Sequence, residues 1–188
     1  MIKKDTIYAL SSANGKAAIA IFRVSGQNCL KIVKNLTKIK DINPRKPTLC
    51  KVYKDNLKKI PIDNCVITFM KKPKSYTGED CLEIMSHGGN AVTASMLKSF
   101  RKSKLCRAAD PGEFTRRAFE NNKLDLTQVE AISDLVSAET ESQRIQALSQ
   151  LDGNFSKKIK KWSMEILKKL ANIEAAIDFS EEEIPKNL

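Results

Sequence analysis

The sequence lacks the motifs that nucleotide hydrolysis and acyl transfer require. Its 188 residues contain no Gly-x-x-x-x-Gly-Lys-Ser/Thr phosphate loop and no Gly-x-Ser-x-Gly turn. They contain a single histidine, His87, so a nucleophile with its base and orienting acid has only one place to form. We predict that this chain itself neither cleaves nucleotides nor transfers acyl groups, and we assign it no catalytic residue.

Long apolar stretches are also absent. No run approaches the roughly 18 uncharged apolar residues that a bilayer span requires. The first five residues, Met-Ile-Lys-Lys-Asp, do not lead into the apolar core of a secretory signal. We therefore expect a cytoplasmic location and no contact with a membrane.

The cysteines do not form the pairs that disulfide frameworks and zinc sites use. Their number, five, is odd, and no two of them have C-x-x-C spacing. Each lies alone in an apolar run, which is typical of buried free thiols. We predict free thiols and no metal site. The five are Cys29, Cys50, Cys65, Cys81 and Cys106.

The net charge of +11 is unevenly distributed along the chain. Residues 1–60 carry 14 basic and 3 acidic side chains (+11), residues 61–120 carry 10 and 7 (+3), and residues 121–188 carry 9 and 12 (−3). Lysine outnumbers arginine 26 to 7, and few aromatic residues accompany the lysines. Two interpretations remain open at this stage: a surface that attracts phosphate, or a solvated face that keeps the protein soluble.

Strand and helix patterns alternate over residues 1–120. Strands are predicted at 6–10, 17–24, 48–54, 62–70, 79–86 and 105–108. Ser25 is placed to cap a first helix, and Asn90 to cap a second that runs to about residue 102. We predict an α+β domain over 1–120, with a mixed sheet and flanking helices.

The pattern becomes purely helical over residues 121–188. Thr127 and Glu130 have the spacing of a capping box at the start of one helix. Apolar residues then recur every three or four positions over 140–178, which predicts one long helix of roughly 58 Å, interrupted at most at Gly153. Because such a stripe needs partner helices, it implies either self-association or a missing remainder of the domain. We expect the second, which makes this part an incomplete helical domain and the chain a fragment.

Four isolated polar residues fall on ordered elements. Arg23 lies near the end of a strand, Glu83 lies in a mostly apolar strand, His87 precedes two glycines, and Lys123 lies where the two regions join. Their pattern alone allows two interpretations. Either Arg23 and Glu83 form a buried ion pair, His87 is a hydrogen-bonded residue of a tight turn with the glycines that follow it, and Lys123 is solvated, or the set binds a ligand.

Seven segments, in order along the chain, resemble one known family. They are Asp5–Ile7, Ile21–Gly26, Ser75–Asp80, Glu83–Gly89, Pro111–Phe119, Asn122–Ala131 and Ala175–Phe179. Together they are similar to the N-terminal part of the bacterial tRNA modification GTPases of the MnmE (TrmE) family. The resemblance implies a first domain similar to folate-dependent aminomethyltransferases, and then the start of a helical domain. It places the GTPase domain, with its GTP, Mg and K, outside this sequence, so this chain is not expected to hydrolyse GTP.

The resemblance also implies a function and partners. The family modifies carbon 5 of the wobble uridine (U34) of certain tRNAs, together with the flavoprotein MnmG (GidA). It uses a tetrahydrofolate one-carbon unit, such as 5-formyltetrahydrofolate, bound near the interface of a homodimer. Two alternatives stay open: a stand-alone folate-dependent aminomethyl-transfer protein, and a basic tRNA-binding module with a vestigial folate pocket.

The family's folate contacts map onto three positions, Arg23, Glu83 and Lys123. A partly buried carboxylate can accept both N–H groups of a pterin's amidine-like edge, and cationic side chains suit the carboxylates of the glutamyl tail. Gly88 and Gly89 are expected to allow the backbone to approach the ligand closely.

Overall fold

The computed structural model describes residues 5–178. Phe179, the last residue of the seven resembling segments, and the acidic cluster at 181–183 that follows it lie outside them. Two compact units divide between Lys123 and Leu124. Among the described residues, no helix has both the length and the hydropathy that crossing a bilayer requires.

Unit 1 is built on one mixed sheet of six strands. Its strands are β1 (Ile7–Leu10), β2 (Ala17–Ser25), β3 (Thr48–Tyr53), β4 (Pro61–Met70), β5 (Cys81–Gly88) and β6 (Arg107–Ala108). They lie in the order β3-β4-β5-β2-β1-β6, and all neighbours are antiparallel except the parallel pair β1 and β6. The α+β fold predicted for this part is confirmed.

The helices of unit 1 determine which sheet face becomes core. They are α1 (Cys29–Leu36), α2 (Asn90–Ser103) and α3 (Glu113–Glu120). The core cluster joins Phe22 and Ile84 of the sheet to Ile32 of α1 and Phe100 of α2, each with no more than 1% of its surface exposed. Because successive strand residues point to opposite faces, Arg23 and Glu83 lie on the other side of the sheet.

The predicted caps of α1 and α2 are wrong. The chain leaves β2 through Gly26, whose φ of 130° favours glycine, and the residue that precedes α1 is Asn28. Ser25 instead ends β2, where its hydroxyl bonds to Thr77. Likewise Gly89 precedes α2, and Asn90 is the first helical residue.

The turn expected at His87 and Gly88 is also absent, because β5 continues to Gly88. Gly88 is buried against β2, and a Cβ there would lie 2.5 Å from the carbonyl oxygen of Ala17. We expected a ligand to approach the backbone closely at Gly88, but the neighbouring strand β2 makes that close approach instead. A Cβ added at Gly89 would meet nothing within 4 Å.

Gly88→Ala is accordingly expected to destabilise the fold, whereas Gly89→Ala is not. The methyl group added at position 88 would displace backbone rather than a flexible side chain, at a cost of about 2 kcal/mol. For a chain of this size that lowers Tm by roughly 4 to 8 °C. Thermal unfolding followed by circular dichroism measures both variants; equal Tm values for the two would contradict the strand contact.

Unit 2 contains three helices, α4 (Leu126–Ser137), α5 (Glu141–Leu151) and α6 (Asn154–Asp178). The capping box predicted from Thr127 and Glu130 is wrong: Asp125 caps α4, and Gln128 completes the box. The pattern over 140–178 predicted a helix interrupted at most at Gly153, and the interruption occurs there: Gly153, at φ 79°, separates α5 from α6. The helical character of this part and a long helix, α6 with 25 residues, are confirmed.

The apolar side chains of α6 remain exposed within the described part of the chain. No residue of α6 is classed as buried, and Trp162 keeps 53% of its surface exposed. The other large apolar residues exposed along α6 include Phe155, Ile159, Ile166, Leu170, Ile173 and Ile177. This is the stripe that the sequence pattern predicted would lack a partner helix.

Candidate functional site

The site centres on a pair of opposite charges on neighbouring strands. Arg23 of β2 and Glu83 of β5 are cross-strand partners. Both donors of Arg23 converge on one oxygen of Glu83, with Nε–Oε1 at 3.0 Å and NH2–Oε1 at 2.7 Å. Within the described residues Oε2 accepts no hydrogen bond from the protein, and the two side chains are 27% and 22% exposed. The site therefore presents a free carboxylate oxygen to solvent.

Two aromatic rings lie against Arg23. Its guanidinium carbon lies 4.9 Å from the centre of the Tyr76 ring and 6.0 Å from that of Phe114. At such distances the ring faces attract the cation and cover it from water. The Tyr76 hydroxyl is held 2.9 Å from the Thr115 hydroxyl. A flat aromatic surface is thus fixed beside the charged pair.

Lys123 lies on a cleft that adjoins this pair. The cleft has a volume of about 490 Å³, and Tyr76 and Lys123 both line it. Thr68, the cross-strand partner of Glu83, lies in its wall. The remaining lining residues are Arg45, Met70, Lys74 and Ser75. Three cations and no carboxylate line this cleft, so it attracts anionic groups.

Of the three predicted site residues, Arg23 and Glu83 are thus in contact, and Lys123 borders the cleft next to them. Lys123 is exposed, and its ammonium donates to the Pro73 carbonyl at 3.3 Å. Sequence reasoning did not single out Tyr76, although the resemblance included the segment that contains it. No sequence pattern indicated that Thr68 or Arg45 would line the site.

The site loop, residues 75–80, is anchored to the rest of unit 1 by the side chain of its own residue Glu79. Its carboxylate accepts from the Ser25 hydroxyl at 2.7 Å and from Arg117 at 3.0 Å. Asn121 adds a bond to the Thr77 carbonyl at 2.7 Å. These contacts fix the loop that carries Tyr76.

Arg117 belongs to a network of five charged side chains. It bonds to Asp5 and to Glu113, each at 2.9 Å, as well as to Glu79. Arg107 bonds to Asp5 and to Glu113, each at 2.6 Å. The side chains of Arg117 and Glu113 are only 4% and 1% exposed, so their charges depend on these partners.

The network shifts the titration of its members. Hydrogen bonds from Arg107 hold the pKa of Glu113 at about 2, well below its ordinary 4.5, although burial acts in the opposite direction. The pKa of Asp5 is lowered for the same reason. Burial by itself would lower the pKa of Arg117, but bonds to Glu79 and Glu113 outweigh it and raise that pKa. These shifts keep Asp5, Glu113 and Arg117 charged at neutral pH.

The stability of unit 1 should consequently fall in acid. Below pH 4.5 the unfolded chain protonates Glu113 while the folded protein keeps it ionised down to about pH 2. This linkage removes about 3 kcal/mol between roughly pH 5 and pH 2. Urea unfolding at several pH values measures the decline. Glu113→Gln should make the decline shallower, whereas Glu141→Gln, at a fully exposed pair, should leave it nearly unchanged.

His87 is not a turn residue but the penultimate residue of β5. Its Nδ1 lies 2.8 Å from Oδ1 of Asp63, and its backbone N–H donates to Oδ2 at 2.7 Å. Burial would raise the pKa of Asp63, but the bonds from His87 outweigh it and keep that pKa below its ordinary value. The imidazole is 74% exposed at the end of the strand.

The cysteines are free thiols in the interior or partly covered. Burial raises the pKa of Cys65 to about 12 and that of Cys50 to about 11, so both stay protonated and unreactive at neutral pH. In residues 5–178 no group of three or more histidine, cysteine or acidic side chains is arranged to hold a metal ion.

Comparison with known proteins agrees with the motif resemblance. Residues 6–123 match the family model described as GTP-binding protein TrmE N-terminus, and residues 126–188 match the MnmE helical domain. The chain is 46% identical to the tRNA modification GTPase MnmE of Parvibaculum lavamentivorans and 44% identical to that of Pelagibacter ubique, covering 98% and 97% of this chain. It is 40% identical to a mitochondrial 5-taurinomethyluridine-tRNA synthase subunit of Rattus norvegicus over 97% of its length.

These relatives are much longer than the present sequence. The chain spans 42%, 41% and 37% of their respective lengths. Both family models follow one another along the chain without overlap, and the first covers unit 1, including all three predicted site residues. The chain therefore belongs to the MnmE (TrmE) family of tRNA modification GTPases.

Proposed function

We propose that this chain is the tetrahydrofolate-binding and dimerisation part of a GTPase that modifies carbon 5 of the wobble uridine in tRNA. The observation that supports it most is the pairing of Arg23 with Glu83, which leaves one carboxylate oxygen free beside an aromatic ring. In this proposal a flavoprotein partner, MnmG, completes the modification. GTP, Mg and K bind in a domain outside this sequence.

The chemistry of the site matches the parts of a reduced folate. Glu83 can accept the N–H groups of the pterin edge at Oε2, which is uncommitted and has two lone pairs, whereas Oε1 already has two donors from Arg23. The Tyr76 ring offers an apolar surface to a flat heterocycle. Lys123 and the other cations of the adjoining cleft suit the carboxylates of the glutamyl tail. The one-carbon chemistry belongs to the folate, while the protein binds and orients it.

A second copy of the chain would cover the sheet face that carries the site. Leu49, Val66, Met85 and Ile21 are neighbours across four strands on that face, and none of them is buried. Leu49 is 74% exposed, and Ile19 on the same face is 59% exposed. Exposed apolar patches of this kind are typical of protein interfaces. A homodimer formed there would also exclude water from the pterin site.

Titration calorimetry of the chain with 5-formyltetrahydrofolate tests the folate assignment. Saturable binding is expected, because the carboxylate, the ring and the cations each have a counterpart on the ligand. The comparison ligand is p-aminobenzoylglutamate, which keeps the tail but has no pterin, and it should bind at least about 100-fold more weakly. Absence of binding to 5-formyltetrahydrofolate, or equal binding of the two ligands, would overturn the proposal.

A further inference from the structure

We propose that a lysine-lined cleft on the helical side of unit 1 binds the phosphodiester backbone of tRNA. The cleft has a volume of about 560 Å³ and lies where α1, α2 and the β3–β4 loop meet. Each of these three elements contributes lysine to the lining of the cleft. The five lysines are Lys31 and Lys34 of α1, Lys54 and Lys58 of the loop, and Lys102 of α2.

The charge of the cleft is almost unopposed. None of the ion pairs in residues 5–178 involves one of its five lysines. Asp55 is the one carboxylate in the lining, and its Oδ1 already accepts the backbone N–H of Leu57 at 3.1 Å. Five lysines against one aspartate leave a local charge of +4 within a concave surface, which concentrates anions there.

The type of side chain favours a polymer of phosphates over other anions. A lysine ammonium binds phosphate as a point charge, without the planar geometry that an arginine needs for a guanine edge. No aromatic residue lines the cleft, so bases have nothing to stack on. An acidic protein would need apolar or aromatic anchors at the centre of its interface. The two leucines in the lining offer little such surface, since Leu36 is 1% exposed and Leu105 is half-buried against the core. Contacts to an RNA backbone need none of these groups.

The cleft and the folate site lie on opposite faces of the sheet. The helices α1 and α2 cover the face that carries Phe22 and Ile84, whereas Arg23 and Glu83 point to the other side. RNA bound at the lysines would therefore not compete with folate. That the RNA is tRNA rests on the function proposed above.

The test compares two triple variants with the same loss of charge. One is Lys31→Gln, Lys34→Gln, Lys102→Gln in the cleft; the other, on exposed positions of α6, is Lys157→Gln, Lys160→Gln, Lys161→Gln. Binding of the 188-residue chain to a fluorescent, unmodified tRNA transcript is measured by anisotropy at several KCl concentrations. The cleft variant should reduce the slope of log K against log[KCl] by about 2 to 3, and the affinity at roughly 0.1 M by on the order of 100-fold.

The α6 variant should change the affinity less than about threefold, and both variants should keep the parental Tm. Equal losses in the two variants, or an unchanged affinity in a folded cleft variant, would overturn the proposal; the second result would favour an acidic protein as the partner. Folate titration of the same samples separates the two proposals. A chain that binds RNA through the cleft but does not bind folate upholds the cleft and refutes the folate site.

Discussion

Glu83→Ala is expected to abolish measurable binding of 5-formyltetrahydrofolate to this chain. The variant removes the carboxylate that pairs with Arg23 beside the rings of Tyr76 and Phe114, and with it the free oxygen proposed to accept the pterin's N–H groups. Two charge-assisted hydrogen bonds contribute about 3 kcal/mol or more, so the affinity should fall by at least about 100-fold. Titration calorimetry of parent and variant under identical conditions measures the change.

Two further variants make the result specific. Glu83→Gln keeps the size of the side chain but replaces one acceptor oxygen with a donor, and we expect it to lose nearly as much affinity as Glu83→Ala. Glu130→Ala removes an equal charge from an exposed position of α4 and should bind like the parent. If folded Glu83→Ala, judged by its Tm, binds folate with parental affinity, Glu83 is only the structural partner of Arg23.

Arg117→Met should cause the largest loss of stability. The substitution keeps the apolar length of the side chain but removes one of the two arginines that pair closely with Glu113, whose side chain is 1% exposed, and the arginine that pairs with Glu79. Removing one partner of a buried ion pair costs about 3 to 5 kcal/mol. Because Arg107 still pairs with Glu113, we expect a loss at the lower end of that range, about 3 kcal/mol. For a chain of this size the Tm should fall by roughly 6 to 12 °C.

The adjacent residue provides the control. Arg116 is 59% exposed, and its ion pairs to Glu113 and Glu120 are long, at 3.8 and 3.9 Å. Arg116→Met should therefore change the free energy of unfolding by less than about 0.5 kcal/mol. Urea unfolding at neutral pH compares the two. Similar midpoints for both variants would show that the network does not stabilise unit 1.

The sequence allowed the prediction that Glu83 lies in a strand, because residue types alternate in this segment. Such alternation indicates both the strand and the face to which each side chain points. The contact between Glu83 and Arg23 depends instead on β5 pairing with β2, which is 60 residues distant along the chain. No local pattern encodes which strands become neighbours. The family resemblance assigned both residues to one ligand site, but it did not indicate that two donors of Arg23 converge on one oxygen of Glu83.

Helix ends were less predictable than helix positions. Asp125 and Thr127 are both good capping residues, and each has a suitable partner three residues later, so local spacing cannot choose between them. At Gly153 the apolar spacing continues across the break; the glycine indicated where an interruption could occur, and the backbone, at φ 79°, shows that it does. No local sequence pattern predicted the ionic network of Arg117, because its members are distributed along the chain from Asp5 to Arg117.

Because the members of this network are far apart along the chain, the site loop of unit 1 becomes ordered only when distant segments have come together. The bonds from Asp5 to Arg107 and Arg117 close loops of 102 and 112 residues, which makes them contacts of very high order. Local hairpins such as β3 and β4 can form without them, whereas the network requires both ends of the unit to be present at once. The loop that carries Tyr76 thus depends on residues at both ends of unit 1. A shortened version that keeps every strand but omits Asp5 or α3 would lose the support of that loop.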